Sequence, residues 1–358
     1  MHILMKIGGA ISCISSFLLA RHILKKKKTW ADISLTSLML VGISVIDIIG
    51  SFFGYFMGGW MMGETAWMIG EREEVHSSLL SGNQQTCTAQ GFLLTFSFTY
   101  FVTAYAGLGA LYTLMVRRAW TKNDLKKRKI RLAFLLPPFI VSLAMTVPPL
   151  FYQMYNPSYF MCYLNQYPFD CEWNPNVPCT RGINAMLAQI ITLFYSLFCN
   201  LIVIVFMGIL IFSVYSQEKK GDRYLVKGQE KNRDNTISTA WQGVRYAGAL
   251  TIPFTPLYVF LGYTIRRAFM GNASFKFWTY LNCILTPLLG FNNACVYFYP
   301  RYKACRKRNQ DKTKFRCLCD TLGISFPCRK SLWTSKLNSD ENLTEPLVDD
   351  SGGNTHVI

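Results

Sequence analysis

Residues 186–214 read MLAQIITLFYSLFCNLIVIVFMGILIFSV, without one charged side chain. A helix needs about 20 mostly apolar residues to cross roughly 30 Å of hydrocarbon, so this stretch is long enough to span a bilayer. Outward from it, six further apolar runs lie between clusters of charge: Met1 to Ala20, Ile33 to Met57, Ala89 to Val116, Leu132 to Tyr152, Ala247 to Ile265 and Phe277 to Tyr299. The composition agrees: 51% of the 358 residues are apolar, 15% aromatic and only 16% charged, the balance of a chain whose solvent is largely lipid. The expected fold is an all-α membrane protein, a seven-transmembrane helix bundle with the lipid bilayer as its first partner. Lys6, in the first run, is expected to snorkel to the nearer interface. Arg21 and Lys25 to Lys28 follow that run where a signal peptide would place small residues, so it is expected to remain as a span.

A formal charge of +17 invites a nucleic-acid partner, but the basic residues are dealt out between the apolar runs. The connections after the first, third and fifth spans hold 5, 8 and 7 Lys and Arg, and Arg301 to Arg316 holds another 8. The intervening connections hold 1, 1 and 3. Cytoplasmic loops carry such an excess, so the N-terminus is expected outside and the C-terminus in the cytosol, with no nucleic acid bound. Glu64, Glu71, Glu73, Glu74, Asp170 and Glu172 fall on the outer side. The four His, His2, His22, His76 and His356, fall outside the expected membrane core, which leaves little for a multi-histidine metal site; no cofactor is expected.

Sidedness sorts the cysteines. Cys87 opens the third span, and Cys162, Cys171 and Cys179 lie in the outer connection between the fourth and fifth. Four thiols in an oxidising compartment imply two disulfides, with three pairings open. Cys305, Cys317, Cys319 and Cys328 are cytosolic and close to basic residues, where S-acylation and inert free thiols are equal expectations. Asn272, in Asn272-Ala273-Ser274, is a glycosylation sequon on the outer side.

Ionisable groups at membrane depth are costly and therefore candidate functional residues. Asp47, in Gly42-Ile43-Ser44-Val45-Ile46-Asp47-Ile48, is the one carboxylate deep in a span and needs partners inside the bundle. The last span offers Asn292, Asn293 and Tyr297; Asn293 and Tyr297 are four apart and share a helical face. The expectation is a polar switch network of Asp47, Asn292, Asn293 and Tyr297, against a static network that merely holds helices together. Pro253 and Pro256 are expected to kink the sixth span and Pro287 the seventh.

Several stretches resemble G-protein-coupled receptors, in particular the cyclic-AMP-receptor-like and secretin-like groups of protist type. They are Gln84-Gln85-Thr86-Cys87-Thr88-Ala89-Gln90-Gly91-Phe92 opening the third span, the Asp47 stretch, and Pro287-Leu288-Leu289-Gly290-Phe291-Asn292-Asn293-Ala294-Cys295-Val296-Tyr297, followed by Tyr299-Pro300-Arg301-Tyr302. The resemblance covers residues 1 to 309 and implies a receptor domain ending in a short cytoplasmic surface helix. It further implies a disulfide from Cys87 to the second outer loop, a heterotrimeric G protein on the inner side and an extracellular ligand of unknown identity. Residues 310–358, with Ser331, Thr334, Ser335, Ser339, Thr344 and Ser351, are expected to form a disordered cytoplasmic tail.

Two positions depart from the rhodopsin-like pattern. Met115-Val116-Arg117-Arg118 lacks an acidic residue before its Arg, and Arg117 lies 30 residues past Cys87, so neither Arg takes an ionic-lock role; both are expected to face the G protein or the inner leaflet. Ala294 replaces the proline of the Asn-Pro-x-x-Tyr motif. Tyr100, Tyr263, Trp278 and Tyr280 are the expected pocket aromatics, though residues at such depths equally form an interfacial belt. No chemistry on the ligand is expected, and the protein is not read as an enzyme. A retinal pigment would need a Lys between Phe277 and Tyr299, and a membrane hydrolase would need a His within a span beside Asp47; both are lacking by this reading. The alternative is a transporter or channel that uses the buried Asp47.

Overall fold

The computed structural model describes residues 2–25, 33–61, 82–118, 120, 124–158, 161–168, 171, 176–222, 234–266, 273–309 and 312–322. Helices account for nearly all of it. They are α1 (His2–Lys25), α2 (Leu35–Ile49) with a π-helical continuation (Gly50–Phe56), the single turn α3 (Gly58–Met61), α4 (Gln84–Arg117), α5 (Arg128–Phe151), α6 (Ala185–Asp222), α7 (Asp234–Arg266), α8 (Ala273–Leu285), α9 (Leu289–Arg308) and α10 (Lys314–Leu322). A two-stranded antiparallel sheet, β1 (Tyr155–Pro157) and β2 (Cys162–Leu164), lies between α5 and α6 and pairs Tyr155 with Leu164 and Pro157 with Cys162.

Among the described residues, six helical stretches are long and apolar enough to cross a membrane: Ile3–Lys25, Leu35–Phe56, Gln84–Arg117, Arg128–Phe151, Ala185–Gln217 and Lys276–Arg308. These are the dimensions of a multi-pass, all-α membrane protein. The sequence reading counted seven spans. The stretch not among these six is α7, in which Ala247–Val259 is the apolar helix found among the described residues, part of the run Ala247 to Ile265 read from the sequence.

Position in the bundle follows from the faces. In α4, 72% of the apolar window is buried, against 17% in α5 and 28% in α6, so α4 is the central pillar and the other two are peripheral. Leu132, Phe139 and Ile140 of α5 and Phe194, Phe198, Leu201 and Phe212 of α6 point outward, as side chains that face hydrocarbon do. α4 buries hydroxyls without loss because each back-bonds one turn up its own helix: Thr95 to the Gly91 carbonyl (2.8 Å), Thr99 to Thr95 (2.8 Å) and Thr103 to Thr99 (2.7 Å). Its start is set by Asn83, whose side chain accepts from the Thr86 N–H while the Thr86 hydroxyl accepts from the Asn83 N–H. Around it Ile43, Phe98, Phe101, Tyr105, Val203, Leu250 and Phe254 close the main core.

The last span is a broken helix. A 3-10 turn, Thr286–Leu288, separates α8 from α9 and places Pro287 where its missing N–H is tolerated, as expected of a bend at that residue. α7 carries Pro253 and Pro256 inside one unbroken helix. α9 passes Tyr299-Pro300-Arg301-Tyr302 without turning and ends at Arg308; the amphipathic surface helix comes later, as α10, at the start of the stretch expected to lack structure. α1 likewise runs past Ala20 to Lys25, so His22 lies in its last turn, edge-on to Tyr297 and Phe298 with ring centroids 5.9 and 5.3 Å away. That corrects the reading that no span carries a His.

Candidate functional site

Asp47 is 2% exposed and faces α1. Ser16 Oγ donates to its Oδ2 at 2.7 Å, Ser12 Oγ at 3.1 Å, and Ser51 adds a third hydroxyl. Ser12 also accepts the backbone N–H of Gly290 at 2.8 Å, which joins the carboxylate to the first turn of α9. Gly290 is there because nothing larger fits: a Cβ would overlap Asp47 Oδ2 and the Ser16 and Ser12 hydroxyls. First, second and last spans therefore meet at one buried polar seam, two residues past the 3-10 turn that breaks the last span.

The expected partners of Asp47 are elsewhere. Asn293 turns to α4, where its Oδ1 accepts from the Tyr105 hydroxyl, and its Nδ2 is buried with no hydrogen-bond partner among the described residues. Tyr297 packs against His22, with the Arg301 guanidinium 3.6 Å above its ring. Asn292 is half-buried outside the seam. The signal that would have identified the true partners is the i, i+4 spacing of Ser12 and Ser16, set in a helix that otherwise reads as plain apolar.

At one end of the bundle Cys87 bonds to Cys162 and Cys171 to Cys179. The first bond fastens β2 to the head of α4. Gln90, one turn past Cys87 on α4, reinforces it: fully buried, it donates to the Gly54 and Gly58 carbonyls at 3.0 and 3.3 Å and accepts from the Cys162 N–H at 3.1 Å. Nothing but its place in the quoted motif marked Gln90 in the sequence. Tyr163, next to the bond, points into a cluster with Met5, Tyr55, Tyr258, Leu261 and Cys283. Its hydroxyl is buried with no hydrogen-bond partner among the described residues, and burial pushes the phenol up from its ordinary range.

Of the expected pocket aromatics, Tyr100 is buried in the main core against Phe96, Trp278 is half-buried beside Phe277, and Tyr280 is exposed. The side chain of Tyr263, like Asn272, Cys328, the acidic residues Glu64 to Glu74, Asp170, Glu172 and the tail Ser and Thr residues, lies outside the described residues. A cleft of about 520 Å³ opens at the disulfide end between Gln84, Thr88, Phe92, Leu150, Gln153 and Arg181, away from those aromatics.

The opposite end is basic. Arg117 and Arg118 stand exposed at the end of α4, beside which Gln217 of α6 donates to the Val116 carbonyl at 3.2 Å. Arg131 donates to the Ile33 carbonyl at 2.9 Å, and Arg245 lies 4.3 Å over the Tyr299 ring. Cys305 is half-buried, while Cys317 and Cys319 face inward from α10. The Cys305 sulfur beside it pushes the Cys317 thiol up, which favours the inert thiol over the reactive thiolate.

No protein-family model matches this chain, and no curated protein matches it.

Proposed function

We propose that this chain is a signal transducer of the G-protein-coupled receptor type, in which a ligand at the disulfide end shifts the helix bundle toward a state that binds a G protein at the basic end. In this reading α7 is the seventh crossing, the disulfide end is extracellular, the basic end is cytosolic and the membrane is the plasma membrane. The observation that carries it is the seam of Asp47, Ser12, Ser16 and Gly290, directly beside the break at Pro287. A carboxylate held by hydroxyls, one of which also accepts the Gly290 N–H, at the point where a helix is already interrupted, is the kind of element that supports two packings. A ligand that binds one packing better moves the population by its differential affinity, and no bond in the ligand needs to break.

The buried Tyr163 hydroxyl supports the placement of the ligand. An unmet buried hydroxyl costs about 1–3 kcal/mol, and a ligand acceptor beneath the tethered hairpin would recover it. Substituting Asp47→Asn tests the reading in cells that report both G-protein activation and ion flux. The expected outcome is altered basal or ligand-driven G-protein signalling at normal surface expression. Ion flux through the wild type that Asp47→Asn abolishes would make the protein a channel or transporter instead.

A further inference from the structure

At the basic end, a cleft of about 480 Å³ lies between the end of α1, the last turns of α9 and α10, bordered by His22, Arg301, Cys305, Arg308, Lys312 and Asp320. Arg301, Cys305 and Arg308 follow at i, i+4 and i+7 on one face of α9, so two guanidinium groups flank a small residue that leaves room between them. Lys312 closes the third side. Among the described residues that border the cleft, three cations face one carboxylate, Asp320, already paired with Lys312 at 2.9 Å on the surface. Arg308 has no ion pair among the described residues. Arg301 is held in place by stacking 3.6 Å over Tyr297 and by donating one N–H to the Tyr297 carbonyl at 3.2 Å; its remaining donors are left for a ligand.

The surroundings are those of a membrane surface. The cleft lies along the last two turns of the stretch Lys276–Arg308. On α10, Cys317, Cys319 and Thr321 turn inward, while Phe315, 66% exposed, and Leu318, 42% exposed, turn outward beside Lys314 and Arg316. Apolar side chains flanked by cations, at the level where the hydrocarbon ends, match the acyl boundary and phosphate layer of a bilayer.

We propose that this cleft binds the headgroup of a membrane lipid carrying phosphomonoesters, such as a bisphosphorylated phosphoinositide. Arg301 and Arg308 grip the phosphates in forked, charge-assisted hydrogen bonds, Lys312 turns from Asp320 to join them, and Phe315 and Leu318 sit against the acyl chains. Recognition needs only the cleft and an adjacent bilayer. It does not rest on receptor activity, nor on which leaflet the cleft faces.

The test uses the full-length protein in lipid nanodiscs of phosphatidylcholine, which expose both faces, with binding followed by native mass spectrometry. The probes are short-chain phosphatidylinositol 4,5-bisphosphate, short-chain phosphatidylserine and free inositol 1,4,5-trisphosphate. The bisphosphate lipid is expected to bind at least about tenfold more tightly than the serine lipid. Arg308→Gln, at an exposed position that leaves the fold intact, is expected to weaken it about fivefold to tenfold, and Arg308→Gln with Lys312→Gln further. Lys307→Gln, on the same helix outside the cleft, is expected to leave binding unchanged. Equal loss in Lys307→Gln and Arg308→Gln, equal binding of the two lipids, or no binding overturns the site. Binding of the free trisphosphate as tight as that of the lipid overturns the lipid as its occupant.

Discussion

The two ends of the bundle are built by different means. At the disulfide end the hairpin is held by a covalent bond to α4, by its Cys162 N–H donating to a buried Gln90 that also ties α4 to Gly54 and Gly58, and by Asn156, which donates to the Gln153 and Asn165 carbonyls at 2.8 Å each. At the basic end no disulfide is present among the described residues, and its ion pairs, Lys127 with Asp124 and Lys312 with Asp320, are exposed, beside cations laid over Tyr297 and Tyr299. Exposed pairs of this kind contribute little because water competes for both partners. The contrast teaches that one end of the molecule is fixed and the other adjustable, with the polar seam at Asp47 between them. A ligand site profits from the first property and a site for exchangeable partners from the second.

Breaking the covalent bond should do the most. Cys87→Ser or Cys162→Ser opens a crosslink of 75 residues, which a chain-entropy estimate values at about 4.5 kcal/mol, and should show as a large fall in thermal midpoint or in folded yield. Cys171→Ser opens a loop of 8 and should cost about 2.5 kcal/mol, less than the first in the same assay. Gly290→Ala puts a methyl group onto the Asp47 carboxylate, and a loss of about 1–3 kcal/mol is expected. If this variant is as stable as the wild type, the seam is loose. Tyr105→Phe removes the donor to Asn293, with an expected loss of about 1–2 kcal/mol that Asn293→Leu in the same background should partly restore. Asp320→Asn should have the smallest effect, a shift of the thermal midpoint within error near neutral pH. Asp320 raises the Lys312 ammonium above its ordinary 10.5, so whatever the pair contributes is present below that pH and lost as pH climbs above it. A fall in midpoint comparable to that of Cys87→Ser would erase the contrast.

The spans were legible because lipid demands long apolar runs, and the residues that end them are charged. α7 was read as a span from the same kind of run, Ala247 to Ile265, of which Ala247–Val259 is the apolar helix among the described residues. The disulfide set was legible as four cysteines on one side, yet the pairing was open, since spacing leaves three arrangements and only the hairpin at Pro157 and Cys162 settles which sulfurs meet. Asp47 was identifiable because a lone carboxylate among Ile and Val stands out. Its partners were not, because hydroxyls on a helix cost so little that Ser12 and Ser16 carry no compositional signal, whereas Asn293 and Tyr297 look conspicuous and bond elsewhere. α10 was hidden because nine residues mixing Cys, Lys, Phe and Asp have no apolar run to detect.

The π-helical segment Gly50–Phe56 has a consequence for how this chain can change in length. Its wider turns hold more residues over a given rise than an α-helix does, and the surplus is accommodated because Gly54 lets Leu94 of α4 come close. Removing one residue there would tighten the coil while leaving both flanks in phase, so Asp47 would keep its hydroxyls and Gly58 its bond from Gln90. Removing one residue earlier in α2 would instead turn everything beyond it by about 100° and carry Asp47 away from α1. Indels in the second span are therefore expected to be silent in one short window and ruinous on its N-terminal side.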